Sequence, residues 1–529
     1  MLAFWLAACR GNAAPPTPRP LGGRAQATQI ATPTPTPTET AEPAGSITAD
    51  VTTGTTPAAQ ATSGAGPSRT PTRTSRATST PAATGIPTPT PTPIPQNAPS
   101  LDWYTPPPDA PTPVPTYALP SQTTNILLLG KDSAEWGDGG LNSDSIIIVS
   151  VNRDRKTASM LSLPRDLYVY IPGAHEMRRI NTAAYGGIDS MRATILYNLG
   201  IQIHYYARID FNAFVEIVNA LEGIDVAVTC PLEDWRLKEA GLDINDEDNW
   251  AWFKLSPGIY HMDGDMALWY ARSRKTTSDF DRGRRQQQIL RAILDQGVDL
   301  NLVSEVPRLW GVYKDALESD LDIGRILQLS ALAPSVRANG IQSLYLNQDV
   351  QAVQLEDGSR VQLPDWSTMQ ITLQRLYLPP ALNRASRPPL TVEVVNASND
   401  PDLAQLAAEN LAWYGFAPVL SEEKVPISAE TTLTFNAPNL RGSFAWLISW
   451  IFDLPRPGNG LPSNQYGIAL NPDANSRYDY RLVLGSAYNP CRPDLFAPQP
   501  YIELPTPTPD PSAPTAEPPT ATPEPLPTP

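Results

Sequence analysis

Two long segments rich in proline and threonine limit how much of this chain can fold. They span residues 13–120 and 491–529 and hold most of the 59 prolines. Such segments contain too few large apolar side chains to offset the entropy lost on ordering, so we predict a disordered stalk and a disordered tail. The fold is therefore expected between residues 121 and 490, a length sufficient for one large core and one small core.

The order of apolar runs in that region predicts the fold class. Continuous apolar runs are typical of buried strands, and apolar residues at helical spacing are typical of helices that pack on a sheet. Strands are predicted at residues 125–129, 145–151, 157–163, 205–209 and 226–229, and helices at 187–200 and 211–221. This alternation predicts an α/β (α+β) domain over residues 121–378, with a layered central β-sheet flanked by helices.

A smaller α/β module is predicted beyond a proline-rich linker at residues 379–389. It covers residues 390–490, a common domain size. Its predicted elements are strands at 390–396, 431–435 and 480–484 and a helix at 401–414. Its sequence shows no obvious catalytic constellation.

The charge of the chain restricts its partners. A net charge of −15 argues against nucleic acid, because a DNA-binding protein needs a basic face. Five arginines nevertheless lie close together, at Arg272, Arg274, Arg282, Arg284 and Arg285. Guanidinium groups stay charged and match phosphate oxygens, so this cluster indicates a small anion such as pyrophosphate. The alternative is the solvated, charged start of a helix.

Local spacing suggests how the cluster is arranged. Arg272 and Arg274 follow an apolar run, and on a strand their side chains would point to one face. Arg282 and Arg285 are three residues apart and would be neighbours on a following helix. Four arginines are therefore expected to converge.

Two carboxylates suggest a metal site. Asp132 and Asp144 each lie at the edge of a predicted strand, where one or two carboxylates with phosphate oxygens and water suit magnesium. The alternative is that each aspartate is a turn or capping residue. The three histidines are scattered, which argues against a zinc site or a histidine-based triad.

The N-terminus and the cysteines bear on location. Residues 1–12 are interpreted as a truncated signal with a lipobox, in which Cys9 is lipidated. The alternative is a fortuitous cysteine in a clipped signal anchor, and in either case the domain is exported and tethered. A disulfide between Cys230 and Cys491 is left open by the sequence.

Several motifs together resemble the LytR-CpsA-Psr family, over about residues 122–300. They occur in the family's order and spacing at 125–132 (NILLLGKD), 143–144 (SD), 161–166 (LSLPRD), 179–187, 205–211, 263–264, 270–274 and 279–288. Residues 390–488 are similar to the small LytR C-terminal-type domain often attached to that family.

The resemblance implies a magnesium-dependent phosphotransferase at the extracytoplasmic face of a bacterial membrane. Such enzymes move a glycopolymer from a polyprenyl-pyrophosphate carrier to a cell-wall acceptor, typically a peptidoglycan sugar hydroxyl. The matching residues would be Asp132 and Asp144 for magnesium, with Arg165, Arg272, Arg274, Arg282, Arg285 and Gln288 for the pyrophosphate. Asp279 would orient Arg274 or act on the acceptor hydroxyl, so that Arg165, Arg272, Arg274 and Asp279 are the candidate catalytic residues.

Two departures from the family pattern, and two other functions, stay open. Asn142 stands where the family usually has arginine, and Asp281 replaces a small residue. Weaker pyrophosphate binding, an altered substrate charge, compensation by Lys131 and reduced activity are the open alternatives. The same site would also serve polyprenyl-pyrophosphate hydrolysis. The third hypothesis is a surface protein that binds the lipid or wall polymer, or has a regulatory role, without turnover.

Overall fold

The computed structural model describes residues 101, 105–131, 143–239, 241–313, 317–378, 390–435, 443–454, 468–469, 476–493 and 502–503. Residues 1–12, the linker at 379–389 and most of the predicted stalk and tail lie outside these described residues, as do Cys9, Asp132 and Asn142. All the described residues belong to one compact unit.

The larger part of the fold contains fourteen strands among the described residues. These are β1 (Thr123–Lys131), β2 (Ser143–Asn152), β3 (Thr157–Leu163), β4 (Tyr168–Ile171), β5 (Glu176–Arg179), β6 (Tyr205–Ile209), β7 (Ile224–Val228), β8 (Leu232–Leu237), β9 (Trp250–Leu255), β10 (Gly258–Met262), β11 (Leu317–Ser319), β12 (Ile341–Tyr345), β13 (Val350–Gln354) and β14 (Arg360–Pro364). The helices are α1 (Gly187–Leu199), α2 (Phe211–Ala220), α3 (Gly264–Arg272), α4 (Asp279–Asp299), α5 (Val306–Tyr313), α6 (Ile323–Ser330), α7 (Ala333–Asn339) and α8 (Trp366–Arg375).

A six-stranded mixed sheet forms the centre, in the order β11-β6-β1-β2-β3-β12. β1 pairs antiparallel with β2 and parallel with β6. Side chains alternate between its faces: Ile126 and Leu128 join the core formed with α2, α3 and α4, whereas Leu127 and Leu129 join the core formed with α1. The predicted layered sheet flanked by helices is thereby confirmed.

Part of the predicted stalk belongs to the fold. The backbone N–H of Val114 donates to the carbonyl of Tyr197 at 2.9 Å, and that of Tyr117 donates to Gly200 at 3.0 Å. These bonds hold residues 105–120 against the C-terminal end of α1, so the prediction that the disordered stalk extends to residue 120 is wrong for this segment. Composition missed it because the stabilising partners are distant in sequence.

The C-terminal module has a sheet and a core of its own. Its elements are β15 (Thr391–Ala397), α9 (Leu403–Trp413), β16 (Ala417–Leu420), β17 (Thr432–Phe435), α10 (Ser443–Ile451), β18 (Ile468–Ala469) and β19 (Tyr480–Gly485), followed by β20 (Ile502–Glu503). The sheet order is β16-β15-β19-β17-β18, whereas β20 pairs with β13 of the larger part.

Covalent and ionic contacts join the module to the larger part. Cys230, which follows β7, forms a disulfide with Cys491, so the pairing that the sequence left open is present. Arg291 of α4 forms an ion pair with Glu409 of α9, and its guanidinium lies 5.3 Å from the ring centroid of Trp413. Cys491 therefore belongs to the fold rather than to the disordered tail in which we had placed it.

None of the helices in the described part of the chain is both long enough and apolar enough to cross a bilayer.

Candidate active site

A polar cleft of about 620 Å³ opens beside the end of β1 and the start of β2. Gly130 and Asp144 line it from these two strands, because antiparallel pairing brings the end of one strand next to the start of the other. The opposite walls carry arginines and aromatic residues, namely Arg272, Arg274, Arg282, Trp235, Trp250 and Trp269.

An apolar cavity of about 100 Å³ adjoins the cleft, between the central sheet and helices α2, α3 and α4. Its lining includes Leu128, Ile147, Phe214, Ile289 and Leu290. The cleft and the cavity share wall residues, which are Gly130, Ser145, Phe211, Leu268, Arg272 and Gln286. A charged chamber is thus directly connected to an apolar one.

Asp144, which lines the cleft, forms an ion pair with Arg165, which follows β3. Nη1 of Arg165 donates to Oδ1 of Asp144 at 2.9 Å. Burial alone raises the pKa of Asp144, but Arg165, Arg282 and Arg274 lower it by more, so its pKa lies below the ordinary value. Asp144 is therefore a stable anion at neutral pH rather than a proton acceptor.

Asp279 lies among three arginines at the start of α4. Its carboxylate oxygens are 3.5 Å from Nε of Arg165 and 3.7 Å from the nearest nitrogens of Arg274 and Arg282. Ser278 caps the helix by accepting from the N–H of Asp281 at 3.2 Å, which fixes the first turn. Asp279 thus brings together arginines from three separate segments.

Arg282 and Gln286 form the cleft-facing side of α4. Nη2 of Arg282 donates to the carbonyl of Asp144 at 3.3 Å. Burial lowers the pKa of Arg282 from its ordinary value, although the negative charge of Asp279 opposes this change. Four residues further along α4, Gln286 accepts from Oγ of Ser145 at 3.0 Å. This spacing places both side chains on one helix face.

Arg272 and Arg274 reach the cleft by a route that the sequence did not predict. Arg272 ends helix α3 rather than a strand, and Arg274 lies in the following loop. The strand prediction is wrong because Asp263 caps the segment, accepting from the N–H of Met266 at 2.8 Å, and its apolar residues follow helical spacing. The guanidinium of Arg272 lies 4.0 Å from the ring centroid of Phe211.

Comparison with known proteins identifies the family to which the chain belongs. The LytR_cpsA_psr family model matches residues 109–376. This chain belongs to the LytR-CpsA-Psr family. It is 32% identical over 225 residues to the polyisoprenyl-teichoic acid–peptidoglycan teichoic acid transferase TagT of Bacillus subtilis, covering 42% of this chain and 67% of that protein.

Other relatives carry different descriptions. The regulatory protein MsrR of Staphylococcus aureus is 32% identical over 208 residues, covering 39% of this chain and 58% of MsrR. A solved structure of TagT bound to LIIa-WTA is 29% identical, with a TM-score of 0.38, and the match covers 48% of this chain and 89% of that one. A structure of TagT with bound octaprenyl pyrophosphate lipid is 28% identical, with a TM-score of 0.35 and the same coverage. The chain thus spans between about half and two thirds of the length of these curated relatives.

Two members of the expected pyrophosphate clamp of this LytR-CpsA-Psr protein do not face the cleft. Arg285 is 1% exposed, and its guanidinium donates to Asp281, to Thr277 and to the carbonyls of Tyr270 and Ser273. Gln288 accepts from the hydroxyl of Tyr270 at 2.8 Å and donates to the carbonyl of Ala227. Both predictions are wrong: these side chains lie on the helix face next to the one that carries Arg282, and their polar atoms bind the protein itself.

Asp281 likewise faces the interior of the LytR-CpsA-Psr domain. Its two oxygens pair with Arg284 at 3.0 Å and with Arg285 at 3.1 Å. Burial raises its pKa, but the two arginines lower it by more, so the carboxylate stays ionised. Two buried arginines therefore neutralise the charge of Asp281, and its effect on anion binding stays a prediction.

The described residues contain only part of the expected magnesium site. Asp132 and the departure at Asn142 lie outside them, and within the described ranges no group of three or more histidine, cysteine, aspartate or glutamate side chains is placed to hold a metal. Asp144 alone fits a magnesium ion that takes most of its ligands from substrate phosphates and water.

Sequence reasoning missed one wall of the cleft. The β8–β9 hairpin contributes Trp235 and Trp250, and Oδ2 of Asp234 accepts from the backbone N–H of Arg274 at 2.9 Å. The signal was the period of two in which Trp250 and Trp252 flank Ala251 and Trp235 lies between two charged residues, which is typical of a half-exposed strand.

Proposed function

We propose that this protein transfers a glycopolymer from a polyprenyl-pyrophosphate carrier to a hydroxyl group of a cell-wall acceptor, such as a peptidoglycan sugar. The observation that carries this proposal is the arginine-lined cleft joined directly to an apolar cavity. That combination suits an amphiphile with an anionic head and a hydrocarbon tail. Similarity to TagT, a polyisoprenyl-teichoic acid–peptidoglycan teichoic acid transferase, supports the same reaction.

The arginines support binding of the pyrophosphate head. Arg165, Arg274 and Arg282 surround Asp279, so their charges are concentrated in one small volume. Nε of Arg165 lies 3.5 Å from carboxylate oxygens of both Asp166 and Asp279, which fix the orientation of this guanidinium. Charge-assisted bonds from guanidinium groups to phosphate oxygens are among the strongest available to proteins.

The proposed reaction is a phosphoryl transfer. The acceptor oxygen forms a bond to the phosphorus that carries the glycopolymer, and the bond from that phosphorus to the bridging oxygen breaks. The products are the acceptor joined to the polymer by a phosphodiester, polyprenyl phosphate, and the proton of the acceptor hydroxyl. Such a reaction depends on positioning and on neutralisation of negative charge. In this proposal Asp279 holds the three arginines in place around the reacting phosphorus.

Magnesium remains part of the proposal. Asp144, together with Asp132, would hold the ion, which would add positive charge at the phosphate oxygens. The low pKa of Asp144 supports this role because a metal ligand must be ionised.

We further propose that the domain acts at the extracytoplasmic face of the bacterial membrane, tethered through its N-terminal segment with Cys9 lipidated. The Cys230–Cys491 disulfide supports an oxidising compartment, because disulfides are rare in the cytosol. Mass analysis of the mature N-terminus tests the lipidation.

A reconstituted transfer assay tests the function. The full chain is mixed with a radiolabelled polyprenyl-pyrophosphate glycan, magnesium and peptidoglycan, and polymer linked to the wall is counted. We expect linked polymer with the wild type, loss of turnover with Arg274→Ala and Asp144→Ala, and normal turnover with Arg308→Ala, an exposed arginine on α5.

Other outcomes would replace the proposal. Release of the glycan phosphate to water without linkage would assign hydrolysis. Tight lipid binding with neither transfer nor release would assign a binding or regulatory protein, the class named for the relative MsrR.

A further inference from the structure

The β8–β9 hairpin presents a row of large apolar side chains to solvent. Cross-strand pairing sets Trp235 opposite Trp252 and Leu237 opposite Trp250, so all four lie on one face, which we call the aromatic ridge. Trp235 is 50% exposed and Trp252 is 43% exposed. Their ring centroids are 5.5 Å apart, and the two ring planes meet at 81° in an edge-to-face arrangement. Exposed aromatic clusters of this kind typically mark binding sites.

The ridge is held rigidly. The indole N–H of Trp252 donates to Glu233 at 3.3 Å, and that of Trp250 donates to the carbonyl of Ile244 at 3.0 Å. On the opposite face of the hairpin, Phe253 packs edge-on against Trp269 with centroids 5.1 Å apart, and Trp269 donates to the carbonyl of Trp235. A ligand would therefore meet aromatic rings whose orientation is already fixed.

The ridge is also part of the cleft. Trp235, Leu237 and Trp250 line it together with Arg274. Oδ2 of Asp234 accepts from the backbone N–H groups of Arg274 at 2.9 Å and Lys275 at 3.2 Å. The hydroxyl of Thr276 donates to the carbonyl of Glu233 at 3.0 Å. The hairpin and the loop that carries Arg274 consequently form one unit, and none of its cleft-lining residues also lines the apolar cavity.

The charge of the hairpin selects among ligands. Within residues 232–255, acidic side chains outnumber basic ones by seven to three. An anionic bilayer surface or a phosphate-rich polymer would be repelled by this excess of negative charge. A neutral pyranose fits better, because its C–H face can lie on an indole ring while its hydroxyl groups donate to carboxylates.

We propose that the aromatic ridge is a subsite for neutral sugar rings of the acceptor glycan strand, an inference that rests on the proposed function. The lipid-linked donor fills the apolar cavity and the arginine cluster, so the acceptor approaches from the free side of the cleft. Stacking on Trp235 and Trp252 then delivers a sugar hydroxyl toward the loop of Arg274. The ridge selects a neutral glycan, and the arginines select the anionic donor.

The test uses the full chain and the neutral tetrasaccharide of N-acetylglucosamine, with binding followed by saturation-transfer NMR. We expect Trp235→Ala and Trp252→Ala to raise the Kd by about fivefold or more, the range that aromatic contacts provide. Trp235→Phe, which keeps a ring, should stay within about twofold of the wild type. Trp446→Ala removes a similarly exposed tryptophan from α10 and should leave the Kd unchanged.

Three results would overturn the subsite. These are absence of tetrasaccharide binding to the wild type, an unchanged Kd in both alanine variants, and loss of binding to phosphatidylglycerol vesicles in Trp235→Ala with the tetrasaccharide unaffected. The last would make the ridge a membrane contact. Binding of octaprenyl pyrophosphate is measured in parallel: Trp235→Ala should retain it, and its absence from the wild type would remove the proposed function whatever the tetrasaccharide shows.

Discussion

Replacement of Asp281 tests the charge balance inside α4. Asp281 pairs with Arg284 and Arg285, which are 3% and 1% exposed. Asp281→Ala leaves these two cations buried without their shared anion, and removing one partner of a buried ion pair costs about 3–5 kcal/mol. The midpoint of guanidinium chloride unfolding at pH 7 should fall accordingly.

The pH dependence of the same variant provides a second check. The pKa of Asp281 is lowered in the folded state, so its stabilisation is present above the unfolded pKa of about 3.9 and is lost as the pH falls below it. The difference between wild type and Asp281→Ala should therefore shrink below about pH 4.

A matched control separates burial from charge. Glu305→Ala breaks an exposed pair with Arg308, in which both side chains are nearly half exposed, and should leave the unfolding midpoint unchanged. Equal stability of Asp281→Ala and wild type at pH 7 would refute the account of this helix.

Three further predictions follow from named contacts. His204 is 1% exposed, and burial lowers its pKa to about 4, so the unfolded chain binds more protons than the folded one between about pH 4 and 6.5. The free energy of unfolding should therefore drop by about 3 kcal/mol as the pH falls across that window, and His204→Gln should flatten this pH dependence in denaturation experiments. Cys230→Ser should destabilise the fold by about 2–5 kcal/mol, because the disulfide closes a loop of 261 residues. Added reductant should lower the melting temperature of the wild type and leave that of the variant unchanged, and an equal effect on both would contradict the pairing. Because the guanidinium of Arg285 donates to Tyr270, Ser273 and Asp281, Arg285→Gln should lower stability, measured by circular dichroism, and keep the affinity of the folded protein for octaprenyl pyrophosphate, measured by calorimetry. Selective loss of lipid affinity would show that Arg285 binds the pyrophosphate.

The sheet was predictable because its residues follow local rules. The apolar runs at 125–129 and 157–163 became the interior of β1 and all of β3, and the helices predicted at 187–200 and 211–221 end within one residue of α1 and α2. Asp144 and Arg165 meet because the antiparallel strands β2 and β3 bring the start of one beside the end of the other, although no such pair was predicted.

The errors came from residues whose direction is set by capping and packing rather than by the pattern of apolar residues. Arg272 followed an apolar run that suits a strand until Asp263 is recognised as a helix cap. Arg282 and Arg285 differ in direction by the 60° that separates residues three apart on a helix, and only packing decides which of them faces the cleft. The pairing of Asp281 with Arg284 and Arg285 was not predicted, because Arg285 was counted as a ligand for the substrate.

Binding of the lipid head group tests the central claim most directly. Calorimetric titration of the full chain compares octaprenyl pyrophosphate with octaprenol in wild type, Arg165→Ala and Arg178→Ala, the last being an exposed arginine away from the cleft. The account predicts that Arg165→Ala weakens binding of octaprenyl pyrophosphate by about tenfold or more, as expected for a lost charge-assisted hydrogen bond, and leaves octaprenol binding unchanged. Arg178→Ala should change neither affinity. Equal affinity of wild type and Arg165→Ala for octaprenyl pyrophosphate would contradict it.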